Sequence, residues 1–256
     1  MTTVVAALVE RRPALLALRR ALPGRPQRVH AARDAAHLDR ILRQHRVDGV
    51  VLGAAAARAG TFAALRDDFR VIPVFCLAAV RSDDAALVRR LERAGATVLL
   101  EALDEPILER VIRQRGMTAR RAAALRPLAG ELDLTTPMQR TAWEHIIGDA
   151  TGRLTTAGLA ARLRVGRETL SRQFGAGMAP RLKLAMDAVR LAAAGELLGC
   201  RGYRVAEVAE LLGYSSVSLL QRTARRLVGG GARRLGTLPI EEIVRRAVAQ
   251  RPGRWT

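Results

Sequence analysis

At 256 residues the chain is long enough for two domains of ordinary size, and its formal charge of +19 suits a polyanionic partner, either nucleic acid or an anionic membrane surface. Aromatic residues are only 3% of the total, which argues against the base-stacking surfaces of single-strand and RNA binders, and no apolar run reaches the ~18 residues of a spanning helix. Part of the charge is compositional, because Lys183 is the only lysine and the abundance of Arg and Ala resembles that of a codon-biased genome.

Residues 1–116 alternate β-branched apolar runs with amphipathic segments, the rhythm of an α/β domain with a parallel sheet. Strands are predicted at Thr3–Val9, Arg28–Ala31, Gly49–Leu52, Val71–Leu77 and Thr97–Leu100. Helices are predicted at Pro13–Ala21, Ala35–His45, Ala54–Asp67, Asp84–Ala94 and Glu105–Gln114, which makes a five-stranded, doubly wound domain the simplest fit. Residues 117–136, rich in Ala and Arg and containing Pro127 and Gly130, read as a partly helical linker. From residue 137 every segment has helical period, and residues 137–236 form the expected all-α domain. Thr136 and Pro137 cap and open a helix to about Ile147 that buries Trp143 and Ile146; Pro180 to Leu198 reads as one long helix. Residues 237–256 form a C-terminal helical extension, with Pro239 in its first turn and Glu241 and Glu242 near its positive end.

Cys76 and Cys200 lie far apart without CxxC spacing, as reduced thiols do, and the apolar TTVVAALV start is followed rather than preceded by charge. A cytoplasmic location with no membrane partner is expected. No GxSxG, HExxH or phosphate-binding loop occurs, VERRPAL stands where a glycine-rich loop would follow the first strand, and His30, His37, His45 and His145 lack metal-ligand spacing. His37 and His45 are placed to share a helix face. These readings predict neither catalysis nor a cofactor.

The chemistry concentrates in two helix-turn-helix patterns. In Thr155 to Phe174, TTAGLAARLRVGRETLSRQF, Thr155 or Thr156 caps the first helix, and Leu159, Leu163 and Val165 face inward. Gly166 opens the second helix, where Leu170 and Phe174 point inward and Arg167, Glu168, Ser171 and Arg172 point outward. Arginine can bond guanine O6 and N7 in bidentate fashion, glutamate can accept from the cytosine amino group, and serine serves bases or phosphates. The plainer reading is a solvated face with Glu168 paired to Arg172.

In Val205 to Leu227, VAEVAELLGYSSVSLLQRTARRL, Val205, Val208, Leu211 and Leu212 form the inner face, Gly213 the turn, and Ser215 or Ser216 the cap. Leu220, Ala224 and Leu227 point inward. Val217, Ser218, Gln221, Arg222 and Arg225 are available to DNA, with Ser218 and Arg222 best placed for bases and Arg225 and Arg226 for phosphates. Residues 137–256 hold 20 basic and 9 acidic side chains, so the excess charge is greatest where these motifs lie.

The order and spacing of these residues, from about Met138 to Leu235, resemble the DNA-binding region of the AraC/XylS family of bacterial transcription regulators. The resemblance implies base contacts from Arg167, Glu168, Ser171 and Arg172 and from Val217, Ser218, Leu219 and Arg222. It further implies successive major grooves roughly 34 Å apart, double-stranded DNA as partner, and RNA polymerase as a further partner. Where that family commonly has inward aromatics this chain has Leu220 and Ala224, and Gly231 and Ala232 replace a Ser-Pro. A loosely packed second unit, or compensation from the C-terminal helix, is the expectation.

The N-terminal segments VDGVVLG, VIPVFCLAA and GATVLLEALDEPILERVI resemble response-regulator receiver domains, which have a flavodoxin-like fold. Such domains need an acidic cluster, a phosphoacceptor aspartate, a hydroxyl and a lysine at the strand ends. Matching positions here are Glu10 and Arg11, Gly53, Ala78 and Ala102. With glycine at the phosphoacceptor position and Asp48 before the strand, the resemblance implies a receiver-like domain without phosphotransfer, left to self-associate as a homodimer or to sense a ligand. The sequence thus predicts a DNA-binding transcription regulator; the competing reading is a protein-interaction adaptor or nonspecific DNA binder with a degenerate helix-turn-helix domain.

Overall fold

Short runs of branched aliphatic residues with no polar alternate can settle only as strands covered on both faces. In the computed structural model, which describes residues 3–24, 28–78, 85–149 and 154–249, they form β1 (Val5–Leu8), β2 (Val29–Ala31), β3 (Gly49–Gly53), β4 (Val74–Ala78) and β5 (Thr97–Leu100). All pairings are parallel, in the order β2-β1-β3-β4-β5, with Val5 opposite both Val29 and Gly49. The chain divides into two compact units, Met1–Ala119 and Arg120–Thr256.

The first unit places α1 (Arg12–Ala21) after β1, α2 (Ala35–Gln44) after β2, α3 (Ala54–Arg58) and α4 (Thr61–Asp68) after β3, and α5 (Ala85–Arg93) after β4. A 3-10 turn, Glu105–Ile107, leads into α6 (Leu108–Arg115). The step from β1 to β2 runs opposite to every later step, so right-handed crossovers put α1 on one face and α2 to α5 on the other, and α6 packs beside α1 on the first. On the first face Ala14 and Leu18 of α1 and Leu108 and Ile112 of α6 bury Val5, Ala7, Val51, Phe75, Leu77 and Leu99. This is the flavodoxin-like doubly wound architecture expected from the sequence, and its strand order reverses between β1 and β3.

Three local expectations need correction. The segment Ala54–Asp67 is two helices, because Gly60 turns left-handed at φ +86° and restarts the chain as α4. Pro73, which has no N–H to give the ladder, delays the fourth strand to Val74. His45 lies beyond the end of α2 in extended conformation, so it stacks on His30 of β2 with ring centroids 4.2 Å apart instead of sharing a helix face with His37. The predicted start of a helix at Asp84 lies outside the described residues.

Helical structure then continues with α7 (Met117–Leu125), α8 (Leu128–Glu131), α9 (Pro137–Ile147), α10 (Thr156–Leu163) and α11 (Arg167–Phe174). It proceeds through α12 (Leu182–Leu198), α13 (Val205–Leu211), α14 (Val217–Val228), α15 (Ala232–Leu235) and α16 (Ile240–Ala249). Thr136 and Gln139 form a reciprocal capping box at the start of α9, which buries Trp143 and Ile146 as its period predicts. The axis of the all-α unit is α12, whose buried alanines Ala185, Ala188 and Ala192 to Ala194 let α9, α11, α13, α15 and α16 approach closely. Gly195 is required there: a Cβ would meet the Leu235 carbonyl at 2.8 Å and the Ile243 side chain. Arg121 of α7, 1% exposed, reaches Glu196 of α12 at 2.8 Å.

Burial, and then the neighbouring His45, hold the His30 pKa below its ordinary value. A depressed pKa means that the unfolded state binds the proton more readily, so the stability from neutral His30 is full above about pH 6.5 and is lost as pH falls through the lowered value. Protection of the β2 and α2 amides, relative to their intrinsic exchange rates at each pH, should therefore fall on acidification in the wild type more than in His30→Gln. Equal loss of protection in both proteins would refute the coupling.

Candidate nucleic-acid interface

In the first helix-turn-helix, Thr155 Oγ1 accepts from Gly158 N at 3.0 Å and fixes the start of α10, while Arg164 ends it in the left-handed region at φ +55°. Gly166 begins α11. Leu170 and Phe174 are fully buried, so the opposite face of α11 carries Arg167, Glu168, Ser171 and Arg172 into solvent together. Leu163 and Val165 are half-buried. Gln139 of α9 pins the far end of α11: its Nε2 donates to the Phe174 carbonyl at 2.9 Å and to the Ala176 carbonyl at 3.3 Å. The T-P-M-Q signature marked Gln139 as a cap partner in principle, but the carbonyls it holds lie some 35 residues away and left no local signal.

The second unit repeats the plan. Gly213 makes the turn at φ +68°, and Ser216 Oγ accepts from Leu219 N at 3.1 Å to start α14. Tyr214 is buried beneath the Arg190 guanidinium, 5.5 Å from the ring centroid. Leu220, Ala224 and Leu227 point inward; Val217, Ser218, Arg222, Arg225 and Arg226 are exposed and Leu219 is half-buried. Gln221 does not stay available to a ligand, because its Oε1 accepts from Ala232 N at 2.9 Å and ties α15 to α14. Nor is this unit loose. α15 and α16 both pack on α14, and Leu220 and Ala224 have no exposure.

Charge is segregated within the helical unit. Arg126 pairs with Glu144 at 2.7 Å, Arg162 with Asp149 at 3.0 Å, Arg245 with Glu131 at 2.7 Å, Arg246 with Glu242 at 2.6 Å, and Lys183 with Asp187. Arg167 and Arg172 on α11, and Arg222, Arg225 and Arg226 on α14, make no ion pair among the described residues. The pairing of Glu168 with Arg172 that a solvated face would favour does not form there.

Among the described residues, the C-terminal edge of the sheet in the first unit carries Glu10, Gly53, Ala78 and Ala102 at the positions matched to a receiver. Gly53 ends β3, and the Glu10 carboxylate occupies the space a side chain at 53 would need, accepting from Ala56 N at 2.6 Å. Arg11 pairs with Glu101 at 2.5 Å, and Ala102 stands in the left-handed region at φ +66°. Burial, with Glu10 adding to it, pushes the neighbouring Cys76 thiol up to about 11. Asp48 is at the other end of β3, buried, where it accepts from Val4 N at 3.0 Å and from the Thr118 hydroxyl at 2.5 Å. It is a structural tie and is not placed to accept phosphate. Among the described residues no group of His, Cys, Asp and Glu could hold a metal, and no helix is long and apolar enough to cross a membrane.

No protein-family model and no curated protein matches the chain. A solved structure to which it is similar is full-length FixJ from B. japonicum, at 16% identity over 93% of this chain and 100% of that chain, with a TM-score of 0.39. No family model supports the AraC/XylS membership expected from VAEVAELLGYSSVSLLQRTARRL, and that expectation is corrected. The physical reason is that a small-residue helix, a glycine turn and a capped arginine-bearing helix are what any helix-turn-helix requires, so the motif does not choose among families. At this similarity the match speaks to neither partner nor mechanism.

Gly53→Asp should displace Glu10 from Ala56 N and cost about 1.5–3 kcal/mol in urea unfolding, the scale of a lost hydrogen bond to a charged group. In a Glu10→Ala background the same change should cost clearly less. Gln139→Leu, which strips two carbonyls of their donor, should lower stability by about 1–3 kcal/mol, whereas Arg172→Ala and Arg222→Ala should stay within roughly 0.5 kcal/mol of wild type. Similar losses in all three would show that the two arginines are structural.

Proposed function

We propose that this protein is a transcription regulator that reads double-stranded DNA by sequence, and that it is not controlled by conventional aspartyl phosphorylation. The observation that carries the reading is the set Arg167, Arg172, Arg222, Arg225 and Arg226. These guanidiniums lie on the outward faces of the second helix of each helix-turn-helix without acidic partners among the described residues, whereas Arg126, Arg162, Arg245 and Arg246 of the same unit are paired with carboxylates. Unneutralised charge on the elements that enter a major groove is the electrostatic footprint of a DNA reader.

The residues divide by chemistry. Arg167, Glu168, Ser171 and Arg172 offer donors and an acceptor to base edges; at the start of α14, where a recognition helix meets bases, Ser218 and Arg222 offer polar contacts and Val217 and Leu219 apolar ones. Arg225 and Arg226, further along α14, reach phosphates and set affinity without reading sequence. The glycine at 53 supports regulation by some means other than phosphate transfer, since residue 53 has no carboxylate of its own and the Glu10 carboxylate beside it is engaged by Ala56 N. Self-association through the α/β unit would pair two DNA-binding units and raise avidity, and contact with RNA polymerase would link binding to transcription.

Selection of the full-length protein on a random duplex library should enrich a motif bound at least ~10³-fold tighter than scrambled DNA. Arg172→Ala or Arg222→Ala should abolish that preference while the fold survives. Arg225→Ala with Arg226→Ala should weaken all sequences alike and flatten the salt slope by roughly 1.8, about 0.9 for each lost phosphate contact. Binding that is salt-sensitive without an enriched motif, or indifferent to Arg172 and Arg222, would leave a nonspecific binder or an adaptor.

A further inference from the structure

At the tip of α14 a valine is left in water. Val217 is the first residue of the helix, directly after the capping Ser216, and is 38% exposed. It continues the stripe of Leu220 and Ala224, three and seven residues on, both with no exposure, but the cover over that stripe ends before reaching it. Among the described residues of the helical unit, Val217 and Met178 are the large apolar side chains that remain exposed. Valine does not strengthen the helix at this position, since its branched Cβ restricts χ1 and alanine would serve better. Its neighbours toward solvent are Ser218 and Arg222, which are polar and exposed.

Resting on the DNA-reading function above, we propose that Val217 packs against the C5 methyl group of a thymine in the half-site read by α14. An isopropyl group has no donor or acceptor. Set against the amino or carbonyl edge of another base it would leave that polar group without water or a partner, which carries a cost. The thymine methyl is the one apolar feature the major groove presents, and contact between it and valine removes both surfaces from water. Ser218 and Arg222 would then fix the register, and Val217 would contribute the preference for thymine at a single position.

The test uses the full-length chain and the duplex it selects from the random library. Each thymine of that duplex is replaced in turn by deoxyuridine, which removes the methyl and leaves base pairing intact. At one position wild-type affinity should fall roughly fourfold, the worth of one buried methyl group. Val217→Ala and Val217→Thr should bind the thymine duplex more weakly than wild type, and Val217→Ala should no longer distinguish thymine from deoxyuridine at that position. Thermal melting of both variants checks the fold. A selected duplex with no sensitive thymine, or a Val217→Ala protein that keeps the full penalty, overturns this inference while leaving sequence-specific binding intact. Failure to select any motif overturns the DNA reading and this inference together.

Discussion

Everything in the helical unit depends on α12 being approachable from nearly all sides. Alanine at 185, 188, 192, 193 and 194 and glycine at 195 keep its surface low, so that α9, α11, α13, α15 and α16 all reach it. Contact at that range brings many weak dispersion contacts into play and excludes water, which offsets the small area each alanine contributes. Both helix-turn-helix units are therefore held by one shared element, and their outward helices are carried by a packed core that needs few aromatic residues. The closest approach is at Gly195, beneath the Leu235 carbonyl and Ile243. The C-terminal α16, whose Ile243, Val244 and Ala247 are completely buried, is thus part of this core.

In the α/β unit the strand ends are occupied by structural contacts. A doubly wound sheet gathers side chains at the C-terminal ends of its strands, and there the chain places Glu10, Gly53 and the Arg11–Glu101 pair. The carboxylate of Glu10 caps the start of α3 through Ala56 N and fills the volume beside Gly53. Glycine at 53 and glutamate at 10 are one arrangement: a side chain at the first position would evict the second. The buried aspartate of this unit, Asp48, is used at the opposite end of β3, where its two oxygens tie the start of β1 to Thr118.

In the helical unit the surface is organised by neutralisation. Ion pairs such as Arg126–Glu144 and Arg245–Glu131 are exposed and contribute little to stability, yet they remove the field of their arginines locally. The arginines of α11 and α14, which form no ion pair among the described residues, keep theirs. Gln139 and Gln221 are spent on backbone groups at the end of α11 and the start of α15.

The sequence by itself determined what local periodicity and capping can decide. Alternation of apolar runs placed the five strands, Thr136 with Pro137 placed the start of α9, and Leu170 with Phe174, or Leu220 with Ala224, told the buried face of each second helix from the exposed one. These signals are legible because each depends on residues within a few positions of one another. Family was not legible, since the helix-turn-helix pattern records only the demands of a tight turn and a capped helix. Tertiary structure alone decided the rest: the stacking of His45 on His30, the recruitment of Gln221 by Ala232, the packing of α15 and α16 on α14, and which arginines remain without a carboxylate. Each depends on groups brought together from distant parts of the chain, and no local pattern encodes which of many equivalent arginines or glutamines will find its partner.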